Sequence, residues 1–302
     1  MIHDVVIIGG GPGGLAAALT LGRGRKRVVL CDAGPRRNQA ATHVHNFVTR
    51  DGTPPEEFRR IGRAQLEPYA NVVVRDAAAE AITGERGAFT VRVGGDDVRA
   101  RRVLLCTGMI DEVPAIEGAA ALWGTAIFQC PYCHGWEVRD RRFGTVATQV
   151  EMLDFALLLR GWSADVVAFT DGAFAVPPET AARLEAGGVV LDERPLVRVI
   201  SDGARLAGVE LLGGGTRALD VLFMRPPQRQ VPLVRDLGLA LDPAGFVQVD
   251  PMRRETSRPG IYAGGDLVTP MQAAIVAAAS AMHAAASLNH ELTIELAVAG
   301  TL

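Results

Sequence analysis

Short apolar runs, glycine turns and helix-like segments alternate along this chain. Residues 4–8 are an apolar run, 9–14 are five glycines and a proline, 15–22 are helix-like, and 27–31 are a second apolar run closed by Asp32. Two apolar strands around a crossover helix predict a parallel sheet covered by helices. Residues 89–106 predict two further strands joined at a Gly-Gly-Asp-Asp turn, 94–97. A second strand–helix–strand pattern follows over 143–148, 150–160 and 164–169, then β-rich sequence to about residue 224. Residues 225–231, with two prolines, predict an irregular return. Beyond about residue 245 come one more strand at Ile261-Tyr262-Ala263, a Gly264-Gly265-Asp266 turn and a long alanine-rich helix starting at Gln272-Ala273.

Composition narrows the class. The 302 residues suit about two domains at roughly 150 residues each. At 48% hydrophobic and 22% charged, with a net charge of −3, the chain has enough apolar sequence for two cores and no basic surface for nucleic acid. The apolar stretch 273–288 falls short of the roughly 18–20 residues a membrane span needs, so a buried helix is expected. Residues 1–8 carry no basic region and no cleavage site, which argues against export and for a reducing cytoplasm. Of the four cysteines, Cys31 and Cys106 end apolar runs and are expected to be buried small hydrophobes, whereas Cys130 and Cys133 are three apart.

Gly9-x-Gly11-x-x-Gly14, after a strand and before a helix, is the dinucleotide fingerprint in its required context. Gly9 permits the tight turn, Gly11 lets a pyrophosphate approach the backbone, and Gly14 allows close helix–strand packing. With Pro12 and Gly13 these form the expected phosphate cradle, facing the helix N-terminus. Asp32 is placed to accept ribose hydroxyl hydrogen bonds. The alternative is a glycine turn that holds no ligand, and Asp32 at this distance weighs against it.

Cys130-Pro131-Tyr132-Cys133-His134-Gly135 is the expected chemical centre. Cysteines at this spacing can close a small disulfide ring, and at a helix N-terminus the thiolate becomes more available. Structural zinc needs four ligands, and there is no second Cys pair. Cys-x-x-Cys-His is also the covalent haem signature, but haem attachment requires export. Two idle buried thiols remain the bland alternative to a redox pair.

Arg258-Pro259-Gly260-Ile261-Tyr262-Ala263-Gly264-Gly265-Asp266 resembles the second FAD motif of flavoproteins with two dinucleotide domains, and Cys106-Thr107-Gly108 resembles the motif closing their first FAD segment. The whole chain resembles the low-molecular-weight thioredoxin reductases. That resemblance implies an α/β fold of two Rossmann-like domains, with a discontinuous FAD domain over 1–116 and 245–302. A pyridine-nucleotide-type domain carrying the Cys-x-x-Cys would occupy 117–244. It implies bound FAD, with Thr107, Gly108, Gly265 and Asp266 as contacts and Gln272 and Ala273 presenting a helix N-terminus to the flavin pyrimidine. Arg37, Asn38 and Asn46 join the cofactor set by the same resemblance, which also implies a homodimer. Cys133 would be the flavin-proximal thiol and Cys130 the interchange thiol. His134 stands where the family has an acidic general acid and can do that task near neutral pH. The alternatives are an ordinary Gly-Asp turn for Asp266 and a surface histidine for His134.

One departure from the family redirects the function. The three small positions of a second fingerprint fall on Ala147, Gln149 and Met152, and the family's arginine pair for a 2′-phosphate is replaced near Phe169-Thr170-Asp171. Side chains there would keep a pyrophosphate off the backbone, and Asp171 would repel a phosphate. NADPH binding by the family mode is therefore not expected. The chain then resembles the dithiol oxidases of gliotoxin and holomycin type, which carry Cys-x-x-Cys-His-Gly and pass electrons to oxygen. A small-molecule dithiol and oxygen are the expected partners, with no metal. The alternatives are a thioredoxin reductase-like enzyme fed by ferredoxin or by unconventionally bound NADPH, and a non-catalytic flavoprotein redox sensor.

Overall fold

The computed structural model describes residues 1–113 and 115–301, in two compact units: Met1–Ile110 with Gln228–Leu302, and Asp111–Pro227. In the first unit, β1 (His3–Ile8) is followed by α1 (Pro12–Arg23), β2 (Val28–Cys31) and α2 (Pro55–Ala64). Then come β3 (Val72–Arg75), β4 (Ala79–Thr83), β5 (Phe89–Val93) and β6 (Asp96–Leu105). The strand order is β3-β2-β1-β6-β5-β4. The ten residues of β6 serve two partners. Its first half pairs antiparallel with β5, and its last residues pair parallel with the strand Ile261–Ala263. Val5 to Ile8 are buried on both faces, as a central parallel strand requires.

The last helix, Ala274–Val298, lies against α1 through small residues. Ala17, Ala18 and Leu21 meet Ala281, Ala284, Ala285 and Leu288 in one buried cluster. A Cβ on Gly13 would lie 3.1 Å from the Ala277 carbonyl oxygen, a tight contact at this close helix crossing. Truncating Leu21, fully buried in this cluster, would cost roughly 2–5 kcal/mol.

The units meet the chain at different points from those expected at 116/117 and 244/245. The first unit resumes at Gln228. The reason is packing: Leu233, Val234 and Leu239 join Phe246 and Val247 in the core beneath β5 and β6. The two prolines at 226–227 precede this return, and residues 228–229 form a two-residue strand rather than irregular chain.

The second unit has a five-stranded parallel sheet in the order Val189–Asp192, Val166–Phe169, Phe143–Val146, Val221–Met224, Ile127–Phe128. A three-stranded antiparallel sheet, Leu196–Asp202, Arg205–Leu211 and Thr216–Ala218, accompanies it. Two expectations need correction. The helix expected over 150–160 is a 3-10 turn, Val150–Leu153, followed by only six α-helical residues, Asp154–Leu159. The β-rich stretch also contains a helix, Pro178–Ala186, started by Pro178 at its first turn and buried through Thr180 and Leu184. Among the described residues no helix is long and apolar enough to cross a membrane.

Candidate functional site

The glycine turn between β1 and α1 is shaped by contacts that exclude side chains. Gly9 has φ +112°, and a Cβ there would come within 2.2 Å of the Cys106 carbonyl oxygen. At Gly14 it would lie 1.7 Å from the Gly9 carbonyl oxygen, and at Gly10 2.2 Å from Asp32 Oδ2. Gly11 differs: nothing stands within 4 Å of its Cβ position. Three glycines hold the turn and one leaves a space beside it. The first turn of α1 carries no acidic residue. Helix N–H groups beside an open glycine suit a phosphate ester, so the residues present fit a dinucleotide cofactor.

Asp32 follows β2 and is buried, but it does not stand alone. Arg59 and Arg63, one turn apart on α2, both place Nη2 on its Oδ2, Arg63 at 2.9 Å. The Gly34 N–H donates to Oδ1 at 3.0 Å. Burial works to raise the Asp32 pKa; the Gly34 N–H and the two guanidinia outweigh it and hold the carboxyl below its ordinary value. The two arginines carried no motif, and they become visible only when α2 folds back beside β2.

At the other end, the structure brings together Arg37, Asp266 and Gln272. Arg37 Nη1 donates to Asp266 Oδ2 at 3.0 Å and to Gln272 Oε1 at 2.6 Å. Gln272 and Gln228 exchange amide hydrogen bonds at 2.8 and 2.9 Å, and Gln272 Nε2 also donates to the Asp266 carbonyl at 3.3 Å. Both donors of the Gln272 amide are thereby used, so its side chain clasps the loop and leaves its backbone and Ala273 at the helix start. Gly265, at φ +95°, donates its N–H to Ser280 Oγ at 2.7 Å and turns the chain into Asp266. Thr107 and Gly108, the latter at φ +68°, follow β6 beside Gly9. Asn38 and Asn46 are exposed, in the loop between β2 and α2. Asn46 has φ +59° and donates its N–H to Asp51 Oδ1 at 2.8 Å.

In the second unit Cys130 and Cys133 are joined by a disulfide, with Cα atoms 5.3 Å apart. Cys130 caps a single helical turn, Pro131–His134, and its Sγ accepts the Cys133 N–H at 3.2 Å. One turn is shorter than the helix start expected, so the local N–H rather than a long helix dipole would favour thiolate at Cys130 once the bond is reduced. The His134 ring stacks on Phe128, with centroids 4.3 Å apart and planes 14° from parallel. That stacking makes His134 a held, half-buried side chain. Tyr132 and Trp136 are exposed on either side of it, Tyr132 edge-on to Trp162 and Trp136 under the Arg139 guanidinium. The remaining cysteines are poor nucleophiles: burial pushes the Cys31 thiol up to about 11, against nearby Arg75, and Cys106 up to about 12. Cys31 is buried as expected; Cys106 is partly exposed by surface area.

The turn after Phe143–Val146 contrasts with the first. Ala147 is buried, Gln149 is exposed in extended conformation, and Met152 sits within the 3-10 turn with Thr148 Oγ1 donating to its sulfur at 3.4 Å. Glu151 and Asp154 occupy the first turns of the two short helices and place negative charge there, which no motif in the sequence marks. Asp171, at φ +53°, accepts the Leu196 N–H at 2.6 Å. No group of His, Cys, Asp or Glu among the described residues could hold a metal ion.

A disulfide beside a held histidine, and a glycine cradle on a separate Rossmann-type unit, define a flavin-dependent thiol/disulfide oxidoreductase. The chain belongs to the pyridine nucleotide-disulphide oxidoreductase family, matched over residues 3–281. It is 29% identical to the thioredoxin reductase sirT of Leptosphaeria maculans over 96% of this chain and 94% of that protein. Among solved structures, the oxidoreductase from Agrobacterium tumefaciens is 35% identical with a TM-score of 0.91, covering 97% of this chain and 99% of that one. HlmI is 37% identical, also with a TM-score of 0.91, covering 99% of this chain and 95% of that one.

Proposed function

We propose that this protein is an FAD-dependent dithiol oxidase that closes an intramolecular disulfide in a small-molecule dithiol. The observation that carries the reading is the second unit's turn: Gln149, Met152, Glu151 and Asp154 stand where a nicotinamide dinucleotide would need glycines and uncharged N–H groups. An enzyme with no place for that reductant takes its electrons from the thiol substrate. The relationship to the thioredoxin reductase sirT supports a thiol or disulfide substrate.

In the proposed cycle a substrate thiolate attacks Sγ of Cys130, breaking the Cys130–Cys133 bond and leaving Cys133 as thiolate. The second substrate thiol, deprotonated, displaces Cys130 from the mixed disulfide, and the cyclic disulfide product leaves. His134, held flat on Phe128, takes the thiol proton and returns it as the cysteines change state. The chemistry FAD supplies when bound is acceptance of two electrons from the dithiol and their discharge to oxygen. The balance is one dithiol plus one oxygen giving one disulfide plus one hydrogen peroxide. On the first unit, Gly9 to Gly14 and Asp32 would hold the adenosine and phosphates, and Arg37, Asp266 and the Gln272–Ala273 helix start the flavin half. The site works in a reducing cytoplasm, and the protein acts as a homodimer.

Oxygen consumption with small dithiols, dithiothreitol included, tests the reading. Peroxide should appear one for one with oxygen taken up, and catalase should return half the oxygen. Absence of oxygen uptake on dithiols, with a disulfide instead reduced to its dithiol when reduced ferredoxin or NADPH is supplied, would replace the oxidase by a reductase.

A further inference from the structure

Asp32 is the acidic residue of the dinucleotide cradle, yet its carboxylate is already engaged. A carboxylate offers about four lone-pair positions. Arg59 and Arg63 take two on Oδ2, and the Gly34 N–H takes one on Oδ1. One position on Oδ1 is left. The arginines are four residues apart on α2, so one face of one helix presents both guanidinia to the end of β2. Gly10 makes room for the arrangement, since a Cβ there would lie 2.2 Å from Oδ2. Both arginine side chains are largely buried, at 12% and 29% exposed, against 8% for Asp32.

Resting on the FAD reading above, we propose that Arg59 and Arg63 are positioning residues of the adenosine site. They fix the Asp32 carboxylate, ionised, with the remaining Oδ1 lone pair available to one ribose hydroxyl. A buried carboxylate left without them would take up a proton and present a hydroxyl donor instead. The groups facing Asp32 come from three places. Arg59 and Arg63 belong to α2, and Glu56 on the same helix lies 3.9 Å from Arg59 Nη1. Asp76, just after β3, accepts from Arg63 at 2.5 Å, and Arg75 ends β3 beside Cys31. Gly34 supplies the only backbone donor to the carboxylate found among the described residues. Arg63 is thus shared between two carboxylates, while Arg59 is the more committed to Asp32.

The test is retention of FAD by the holoprotein, read by fluorescence of released flavin after dilution between about pH 8 and pH 5. Wild type should hold FAD equally across the range, because Asp32 stays ionised. The R59M/R63M variant should hold it at least about tenfold more weakly at pH 7, a loss of roughly 1.4 kcal/mol. It should weaken further as the pH falls and Asp32 protonates. R59K/R63K should recover the flat profile, which a merely structural role would not require. D32N should bind weakly at every pH with no slope. A double methionine variant whose affinity and profile match wild type would overturn the inference, and so would a slope that persists in D32N. If R59M/R63M does not fold, R59K/R63K decides alone: a pH slope in a folded lysine variant also overturns it. A wild type that yields no FAD when heat-denatured would instead remove the FAD reading itself.

Discussion

The two strand–turn–helix units of this chain share a layout and differ in the turn. After β1 come Gly9, Gly10 and Gly11, then twelve helical residues that open Pro12-Gly13-Gly14 with no acid in the first turn. After Phe143–Val146 come Ala147, Thr148 and Gln149, a 3-10 turn carrying Glu151, and six helical residues starting at Asp154. Parallel sheet and crossover are kept by buried apolar strands, which demand only hydrophobic side chains. A phosphate site demands more: bare backbone, an aligned helix end and no carboxylate in the helix's first turn. The second unit has kept the part that packing enforces and lacks the part that a ligand enforces. What it carries instead is the Cys130–Cys133 disulfide and His134.

If the second unit's chemistry is the dithiol, Cys130→Ser and Cys133→Ser should each abolish dithiol oxidation. Cys130→Ser should show a long-wavelength charge-transfer absorbance from the Cys133 thiolate that acid removes. The same band in Cys133→Ser, and not in Cys130→Ser, would exchange the two roles.

If the first turn holds the dinucleotide, its glycines should separate by what surrounds them. Gly11→Val should fold and lose its flavin, because the new side chain enters the open space beside the turn. Gly14→Val should fail to fold, because its Cβ would overlap the Gly9 carbonyl. Visible absorbance and circular dichroism on the two proteins read both outcomes. Full flavin in Gly11→Val would move the cofactor elsewhere.

His134→Ala should keep the flavin spectrum and slow turnover by roughly 10²–10⁴-fold, the range for a general acid–base. Loss of the stack on Phe128 should cost stability by only about 0.5–1.5 kcal/mol, measured from the denaturant midpoint. Unchanged turnover would return His134 to a packing role.

The smallest effect concerns the other two thiols. Burial raises the pKa of Cys31 to about 11 and of Cys106 to about 12, so the folded state holds their protons. The stability this gives is complete at neutral pH and is lost as the pH rises past the ordinary thiol range. A maleimide at pH 7 should therefore label no cysteine in the oxidised protein and two after reduction. Labelling of four in the folded, reduced protein would contradict the raised pKa values of this pair.

Much of this was legible in the sequence because the requirements are local. The order Gly9, Gly11, Gly14 and the Cys130–Cys133 spacing are fixed by backbone geometry within a few residues, and Asp32 directly follows the next apolar run. The Arg59 and Arg63 pair was not legible, since it depends on α2 returning beside β2 across the intervening loop. Gln228 was missed for the same reason: its partner, Gln272, is far along the chain. The helix Pro178–Ala186 was hidden because Thr180 and Leu184 are its only fully buried positions, too few to mark an apolar face. Glu151 and Asp154 were visible as residues, but their weight came only once the helix was seen to start there.

The central claim is that electrons enter from a dithiol and not from a nicotinamide. Anaerobic stopped-flow absorbance of the oxidised holoprotein, mixed in turn with a small dithiol and with NADPH, tests it most directly. The account predicts bleaching of the flavin by the dithiol and an unchanged spectrum with NADPH over the same seconds. Complete bleaching by micromolar NADPH would contradict it.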